Sequence, residues 1–120
     1  MKKIYSGFLK IDNYGCLTCD GSYLVESIEN DFKQGDNVFI RYYITDKEVT
    51  EIQAGETLIT KTFGGNLDEL QFILDAYSEY TIMELEENLV IAGHDLFSEL
   101  QNFEDKYLTL IIELISAHNK

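Results

Sequence analysis

The segment from Val38 to Thr45 limits the possible folds most strongly, because its apolar side chains recur at every second position. Two residues is the period at which the side chains of a β-strand point to the same face of a sheet. One face of this strand would comprise Val38, Ile40, Tyr42 and Ile44, and the other would comprise Phe39, Arg41 and Tyr43.

Turn sequences divide the rest of the first half into short extended segments. Asp12–Gly15 and Asp20–Gly21 combine Asp, Asn and Gly, which tolerate the left-handed backbone conformation that tight turns need. Several short strands at this spacing are typical of a small barrel or sandwich. The predicted strands cover residues 3–11, 16–20, 23–29, 38–45, 49–52 and 57–63.

The segment that follows Gly64–Gly65 fits two interpretations. The glycine pair predicts a break, and Asn66–Glu69 resembles a capping box at the start of a helix. The same segment also alternates, since Leu70 and Phe72 would share one face of a strand. The periodicity leaves both helix and strand open for residues 67–77.

The last third of the chain predicts a helix followed by a strand. Asp95 is a suitable N-cap, because its carboxylate can accept hydrogen bonds from free N–H groups of the first helical turn. The helix would run from Leu96 to about Phe103. Residues 107–115 fit either a continuation of that helix or a separate strand, and we expect the strand.

These elements predict an α+β, β-rich fold class: a small antiparallel barrel or sandwich with one or two short helices in the C-terminal half. The sequence shows no internal repeat and no linker rich in Gly or Ser, so residues 1–120 are expected to form a single domain. A chain of this size can bury about two thirds of the surface of its unfolded state, which is enough for one modest core.

Negative charge is concentrated in the second half of the chain. Residues 61–120 carry 12 acids and 3 bases, against 10 acids and 6 bases in residues 1–60, and the net charge is −13. Between Lys61 and Lys106 there are 11 acids and no Lys or Arg. Such a surface repels nucleic-acid phosphates and anionic membranes, and it attracts basic proteins. We therefore expect a basic protein partner and no direct contact with nucleic acid or membrane.

The two cysteines, Cys16 and Cys19, form a C-x-x-C pattern without the surroundings that make such a pair reactive. A redox pair normally lies at a helix N-terminus, whereas this pair falls in a predicted strand, where residues three apart point to opposite faces. No second cysteine pair or neighbouring histidine completes a zinc site. We expect small strand residues, no cofactor and no metal.

A cytoplasmic location is expected, because no apolar segment is long enough to span a membrane.

The segment Gly93–Asp95 is the strongest candidate for chemistry. His94 lies beside a predicted helix start, where it could act as a base or a metal ligand with Asp95 orienting its ring. Asp95 already has a sufficient role as the N-cap, however, and Gly93 has one as the tight turn before it. A structural role is therefore favoured, and no enzymatic activity is expected.

A second candidate site combines Tyr77, Glu79 and Tyr80 in one short segment. Tyrosines on a sheet usually pack across strands and leave the hydroxyl in water, so a structural role is again favoured. The acids in Glu84–Glu87 follow closely, but they lack the pattern of a calcium-binding loop. They are expected to form a solvated acidic turn.

Three functional hypotheses follow. The first is a non-enzymatic protein-interaction module or inhibitor whose acidic second half binds a basic partner, with plain solubility as the competing explanation of the charge. The second is a DNA-mimicking inhibitor, which needs carboxylates arranged like phosphates. The third is a small ligand-binding or enzymatic barrel with His94 near the site and Tyr77, Glu79 and Tyr80 as partners. A homodimer formed through open sheet edges is a further alternative.

Overall fold

The computed structural model describes residues 1–48 and 57–118 of the chain. This part of the chain contains eight strands and two short helices. The strands are β1 (Lys2–Ile11), β2 (Leu17–Cys19), β3 (Ser22–Tyr23), β4 (Asn37–Thr45), β5 (Thr57–Ser78), β6 (Thr81–Ile91), β7 (His94–Asp95) and β8 (Tyr107–Ser116). The helices are α1 (Leu24–Asp31) and α2 (Leu96–Gln101).

All of the strands join one antiparallel sheet in the order β3-β2-β1-β8-β4-β5-β6-β7, and this sheet curls into a half-barrel. The predicted β-rich α+β class is therefore confirmed. The predicted helix after Asp95 and the predicted strand at 107–115 are also confirmed, as α2 and β8. The predicted strand at 49–52 lies outside the described residues.

The strand predicted at residues 23–29 is wrong, because helix α1 begins at Leu24. Leu24, Val25 and Ile28 are buried, and their spacing places them on one side of a helix. A segment this short covers only about two helical turns, so its apolar positions distinguish poorly between the two periods. One helix therefore lies in each half of the chain.

The break predicted at Gly64 and Gly65 is also wrong, because β5 runs through both residues. They pair with Phe39 and Val38 on β4, and a Cβ atom at Gly65 would lie 2.7 Å from the Cβ of Ala92. Here glycine permits a close approach of two segments and does not end an element. The open choice for residues 67–77 is thereby resolved in favour of a strand.

The fold is an internal duplication, although the sequence analysis found no repeat. The succession β1-β2-β3-α1-β4 recurs as β5-β6-β7-α2-β8. If each strand is replaced by its equivalent in the other half, the order of the sheet reads the same from its opposite end. The equivalent strands therefore have equivalent neighbours. A pseudo-two-fold axis therefore passes between β4 and β8, which pair at the centre of the sheet.

The hairpin turns of the two halves have the same backbone conformation. Asp20 and Gly21 have φ angles of 49° and 82°, and Ala92 and Gly93 have φ angles of 51° and 78°. Positive φ at both central residues matches the right-handed twist of the flanking strands. The first residue of the turn is Asp in one half and Ala in the other. The two halves therefore share a backbone conformation that cannot be recognised from the amino-acid sequence.

Hydrogen bonds between elements also repeat. The N–H of Gly35 donates to the carbonyl of Leu67 at 2.8 Å, and the N–H of Asp105 donates to the carbonyl of Leu9 at 2.8 Å. These contacts fix the loop after each helix against the first strand of the other half. Each half is therefore completed by the other.

One apolar core lies between the inner face of the sheet and the two helices. Complete burial of a large apolar side chain contributes about 1.5–3 kcal/mol, and the central strands and both helices supply such side chains. The largest contributors include Ile40, Tyr42, Ile44, Leu110, Leu24, Ile28, Leu96 and Leu100. Neither helix within the described ranges has the length and apolar character that crossing a bilayer requires.

Replacing Gly65 by Ala should lower the free energy of unfolding by about 2 kcal/mol, through the clash with Ala92 and through strain at a φ of 149°. Adding Ala92→Gly removes the clash, so the double variant should recover part of that loss. Urea denaturation of the single and double variants measures the coupling.

Gly15→Ala is the matched control, because Gly15 also has a positive φ, of 87°, but open space around it. Because Ala92 has a positive φ, Ala92→Gly has an effect of its own, and we expect the effects of Gly15→Ala and Ala92→Gly to be simply additive. If the effects of Gly65→Ala and Ala92→Gly were simply additive, the close contact between the two segments would be refuted.

Candidate functional site

The structure separates the two candidate sites predicted from the sequence. His94 and Asp95 form β7 at the start of α2, whereas Tyr77, Glu79 and Tyr80 lie at the far end of the β5–β6 hairpin. About eleven residues of strand, roughly 35 Å of extended chain, lie between these two places. His94 and the tyrosine segment therefore do not form one site.

Asp95 is the N-cap of α2, as its position predicted. Its carboxylate accepts hydrogen bonds from the Ser98 N–H at 3.1 Å and from the Ser98 hydroxyl at 2.8 Å. Both carboxylate oxygens are thus occupied by the first turn of the helix, so Asp95 does not orient His94.

Glu99, and not Asp95, contacts the His94 ring and orients it. Its Oε2 lies 2.7 Å from Nε2 of His94, and its Oε1 accepts from Nζ of Lys61. The His94 ring packs edge-to-face on Phe63, with centroids 5.0 Å apart. The Glu99 side chain is only 16% exposed, so this carboxylate is the buried centre of the cluster. We call Lys61, His94 and Glu99 the Glu99 cluster.

The charge of Glu99 is stabilised by its neighbours. Burial raises the pKa of its carboxyl, but Lys61, His94 and Tyr42 lower it more, so the pKa lies below the usual glutamate value. Burial raises the pKa of Tyr42, and the polar interaction with the neighbouring Glu99 carboxylate and its charge raise it further. Within the described residues, the buried Tyr42 hydroxyl lacks a hydrogen bond of normal geometry.

The Glu99 cluster joins strand β5 to helix α2, and each of its charges is satisfied by another member. This arrangement is typical of a structural contact, because a catalytic base needs an open face toward its substrate. No set of three or more His, Cys, Asp or Glu side chains in the described ranges could hold a metal. The sequence did not indicate Glu99 or Lys61, because the contact depends on tertiary pairing of residues 38 positions apart.

Two small pockets of the described structure lie away from this cluster. One pocket of about 140 Å³ lies on the outer face of the sheet beside Phe39, Arg41 and Glu113, and another of about 50 Å³ lies beside Gly7 and Asp20. Ligand sites are commonly about 300–1,000 Å³. Neither pocket includes His94 or the tyrosine segment.

The hairpin between β5 and β6 is where the two halves differ most. In the first half, the β1–β2 hairpin closes at Asp12, whose Oδ1 accepts from the N–H groups of Tyr14 and Cys16. In the second half, pairing continues to Ser78 and Thr81. We call residues 71–88 the arm. This extension has no counterpart in the first half.

The outer part of the arm is uncovered. Every residue from 77 to 84 is exposed. Four of them are large and apolar or aromatic, and their exposed fractions are 82% for Tyr77, 93% for Tyr80, 42% for Ile82 and 58% for Met83. An exposed group of this kind is typical of an interaction surface.

The arm has one mainly apolar face and one mainly acidic face. Alternation along the paired strands places Leu74 and Leu85 opposite each other on the face that continues the core, where Glu87 lies opposite Phe72. On the other face, Asp75 lies directly opposite Glu84, and Ile73 lies opposite Glu86. Like charges in direct opposition destabilise a strand pair. The Glu84–Glu87 segment therefore lies in a strand, and the prediction of an acidic turn is wrong.

The base of the arm is held against the first half of the chain. Phe72 stacks on Tyr23 with ring centroids 4.9 Å apart, and Glu87 accepts from the Leu17 N–H at 3.1 Å. Burial raises the pKa of Glu87, against the lowering effect of the bond from Leu17, and the charge of Asp12 raises it further. The arm is thus anchored at residues 72 and 87 and free beyond them.

Cys19 lies in β2, as predicted, whereas Cys16 directly precedes that strand. Cys16 and Cys19 are free and buried, and burial, followed by nearby carboxylates, raises the pKa of each thiol to about 12. A thiol with so high a pKa is almost entirely protonated at neutral pH and is a poor nucleophile.

Comparison of the chain with protein-family models, with curated proteins and with solved structures gave no match.

Glu99→Gln should lower the free energy of unfolding by about 1–2 kcal/mol at pH 7, because the substitution removes the charge that Lys61 and His94 surround. The folded-state pKa of Glu99 is lowered, so its stabilisation is present above the usual glutamate pKa and is lost as the pH falls through the lowered value.

The difference in stability between wild type and Glu99→Gln should therefore shrink below about pH 4.5, the usual glutamate value. Urea unfolding at several pH values measures it. Glu26→Gln, at an exposed position on α1, is the control. A difference that stays constant down to pH 3 would contradict the electrostatic role of Glu99.

Proposed function

We propose that the protein is a non-enzymatic interaction module, of the kind that includes inhibitors, which binds a basic protein partner through the arm. The observation that carries this proposal is the exposed run from residue 77 to residue 84, with aromatic and apolar side chains beside acids. Binding would cover the apolar side chains and neutralise the acids in one step.

The exposed apolar and aromatic side chains of the arm contribute little to the stability of the folded chain. A two-stranded hairpin is at best marginally stable in water when it stands alone. The arm exposes Tyr77, Tyr80 and Met83 beyond its last anchor, so these side chains contribute little to the folded chain. Side chains of this type supply much of the binding energy at protein interfaces. Their exposure together supports a role in binding.

The acidic side chains of the arm favour a basic partner. The arm contains five acids and no Lys or Arg. Every ion pair in the described structure lies outside the arm, including those of Lys3 with Asp31 and Lys106 with Asp46. Apart from Glu87, which accepts from the Leu17 N–H, the acids of the arm are therefore available to a positive surface, which would speed association and select the partner.

A ligand-binding or enzymatic function near His94 has less support. His94 and Lys61 are both engaged by Glu99, and the pockets described lie elsewhere. DNA mimicry remains a special case of the acidic-arm proposal, in which the partner is a nucleic-acid-binding protein. We place the protein in the cytoplasm, where the free thiols of Cys16 and Cys19 would stay reduced.

Capture of partners from the native lysate at low salt, followed by washes of rising salt, tests the proposal. We expect one basic protein to be retained in stoichiometric amount. Replacing both Glu84 and Glu86 by Gln should lower the retained amount at least about fivefold, because like-charged neighbours on one face act together. The control, Glu26→Gln with Glu113→Gln, has the same net charge but leaves the arm intact.

Met83→Ser tests the apolar contribution, with Ile115→Ser as its control. The two side chains are equally exposed, at 58% and 60%, but Ile115 lies on the outer face of β8. Met83→Ser alone should reduce capture. Equal capture by all variants would refute the arm as the binding surface. Displacement of DNA from the captured partner would identify the DNA-mimic form.

A further inference from the structure

One edge of the arm lacks a neighbouring strand. Strand β5 pairs with β4 only as far as Asn66, whereas its pairing with β6 continues to Ser78. Within the described structure, the portion of β5 after Asn66 therefore has a strand on one side only. An edge of this kind presents backbone N–H and C=O groups that can pair with another chain.

The first outward N–H groups on this edge are satisfied by other parts of the chain. The Leu67 N–H donates to the Asp36 carbonyl at 2.8 Å. After a bulge at this point, the Leu70 N–H donates to Oε1 of Gln34 at 3.3 Å, and the Phe72 N–H donates to Oε2 of Glu29 at 3.4 Å.

Leu74 is the next residue in this series. Backbone groups alternate in direction along a strand, so the N–H of Leu74 points outward as those of Leu70 and Phe72 do. Helix α1 and its loop end beside Phe72, and no side chain of the described residues accepts from Leu74. Leu74 thus begins a short open edge at the place where the acceptors from the body of the protein end, and bulges between Asp75 and Ala76 and between Ala76 and Ser78 limit its regular part.

The side chains around this edge specify the strand that would fit it. On β5, Leu74 lies on the apolar face, and Ile73 and Asp75 lie on the other face, where Glu86 and Glu84 of β6 are their partners. A strand added at this edge would place alternate side chains on these two faces. Its sequence should therefore alternate apolar and basic residues. A second copy of this chain would bring acids against acids, which disfavours self-pairing.

We propose that the open edge of β5 at Leu74 binds an extended segment of the basic partner as an added β-strand. This inference rests on the proposed function and specifies how the arm recognises its partner. Backbone pairing supplies affinity without demanding a particular sequence, and the two faces of the arm supply the preference for alternating apolar and basic residues.

The probe is a short peptide in which valine and lysine alternate, titrated into the full-length protein. Binding should slow hydrogen exchange of the Leu74 amide at least about tenfold, because that N–H gains an acceptor. The Asp75 amide already faces β6 and should not change. A peptide of the same composition with the valines and lysines in separate blocks should bind more weakly, as should one with glutamate in place of lysine.

Leu74→Pro removes the outward N–H while leaving the β5–β6 ladder intact, because proline is tolerated where the N–H faces away from the partner strand. Leu74→Ala is the matched control, since it shortens the side chain but keeps the N–H. We expect Leu74→Pro to bind the valine–lysine peptide at least about fivefold more weakly than Leu74→Ala.

Each outcome decides the inference. Slowed exchange at Leu74 together with weaker binding by Leu74→Pro supports strand addition. Binding with unchanged exchange at Leu74 overturns strand addition but leaves the arm as a charged contact surface. A peptide that does not bind also overturns it, while lysate capture with the arm variants judges the proposed function separately. If Leu74→Pro alters exchange at Asp75, the wild-type exchange data decide alone.

Discussion

The antiparallel pairing of β4 with β8 is the interaction on which the rest of the structure depends. These two strands supply the inward-facing side chains at the centre of the core, and each also pairs with the first strand of the opposite half. Neither half closes its own sheet, so the pseudo-two-fold arrangement exists only while the central pair is formed. The remaining elements, including both helices, pack on the framework that this pair creates.

The duplication shows which features serve the fold and which exceed it. Both halves need a hairpin, a tight turn with positive φ and a helix with two or three buried apolar residues. The first half meets the need for a hairpin with a turn that closes at Asp12. The arm of the second half is longer than this architecture requires, and its outer residues pack against nothing in the described structure. The arm is longer than its counterpart, exposes tyrosines and places acids opposite each other. These features are the basis for the proposal that the arm binds a partner.

Local patterns in the sequence predicted the elements whose determinants are local. The alternation at Val38–Thr45 and the carboxylate of Asp95 before an apolar segment were sufficient for β4 and α2. Helix α1 was missed because its segment is too short for the periodicity of a helix to be distinguished from that of a strand. Gly65 was misinterpreted because its need for glycine comes from Ala92, which is distant in sequence. The Glu99 cluster was missed because it brings together residues up to 38 positions apart within the second half. The duplication was missed because the two halves share few side chains.

The most direct test of the account uses the duplication itself. Residues 73–86, the part of the arm beyond its anchors, would be replaced by residues 12–16, the turn that joins Ile11 to Leu17 in the equivalent hairpin and would here join Phe72 to Glu87. Thermal unfolding and salt-graded capture of the partner would then be measured on the same variant. We predict that the variant folds with a melting temperature within a few degrees of wild type and no longer retains the partner. Full retention of the partner by this armless variant would contradict the account.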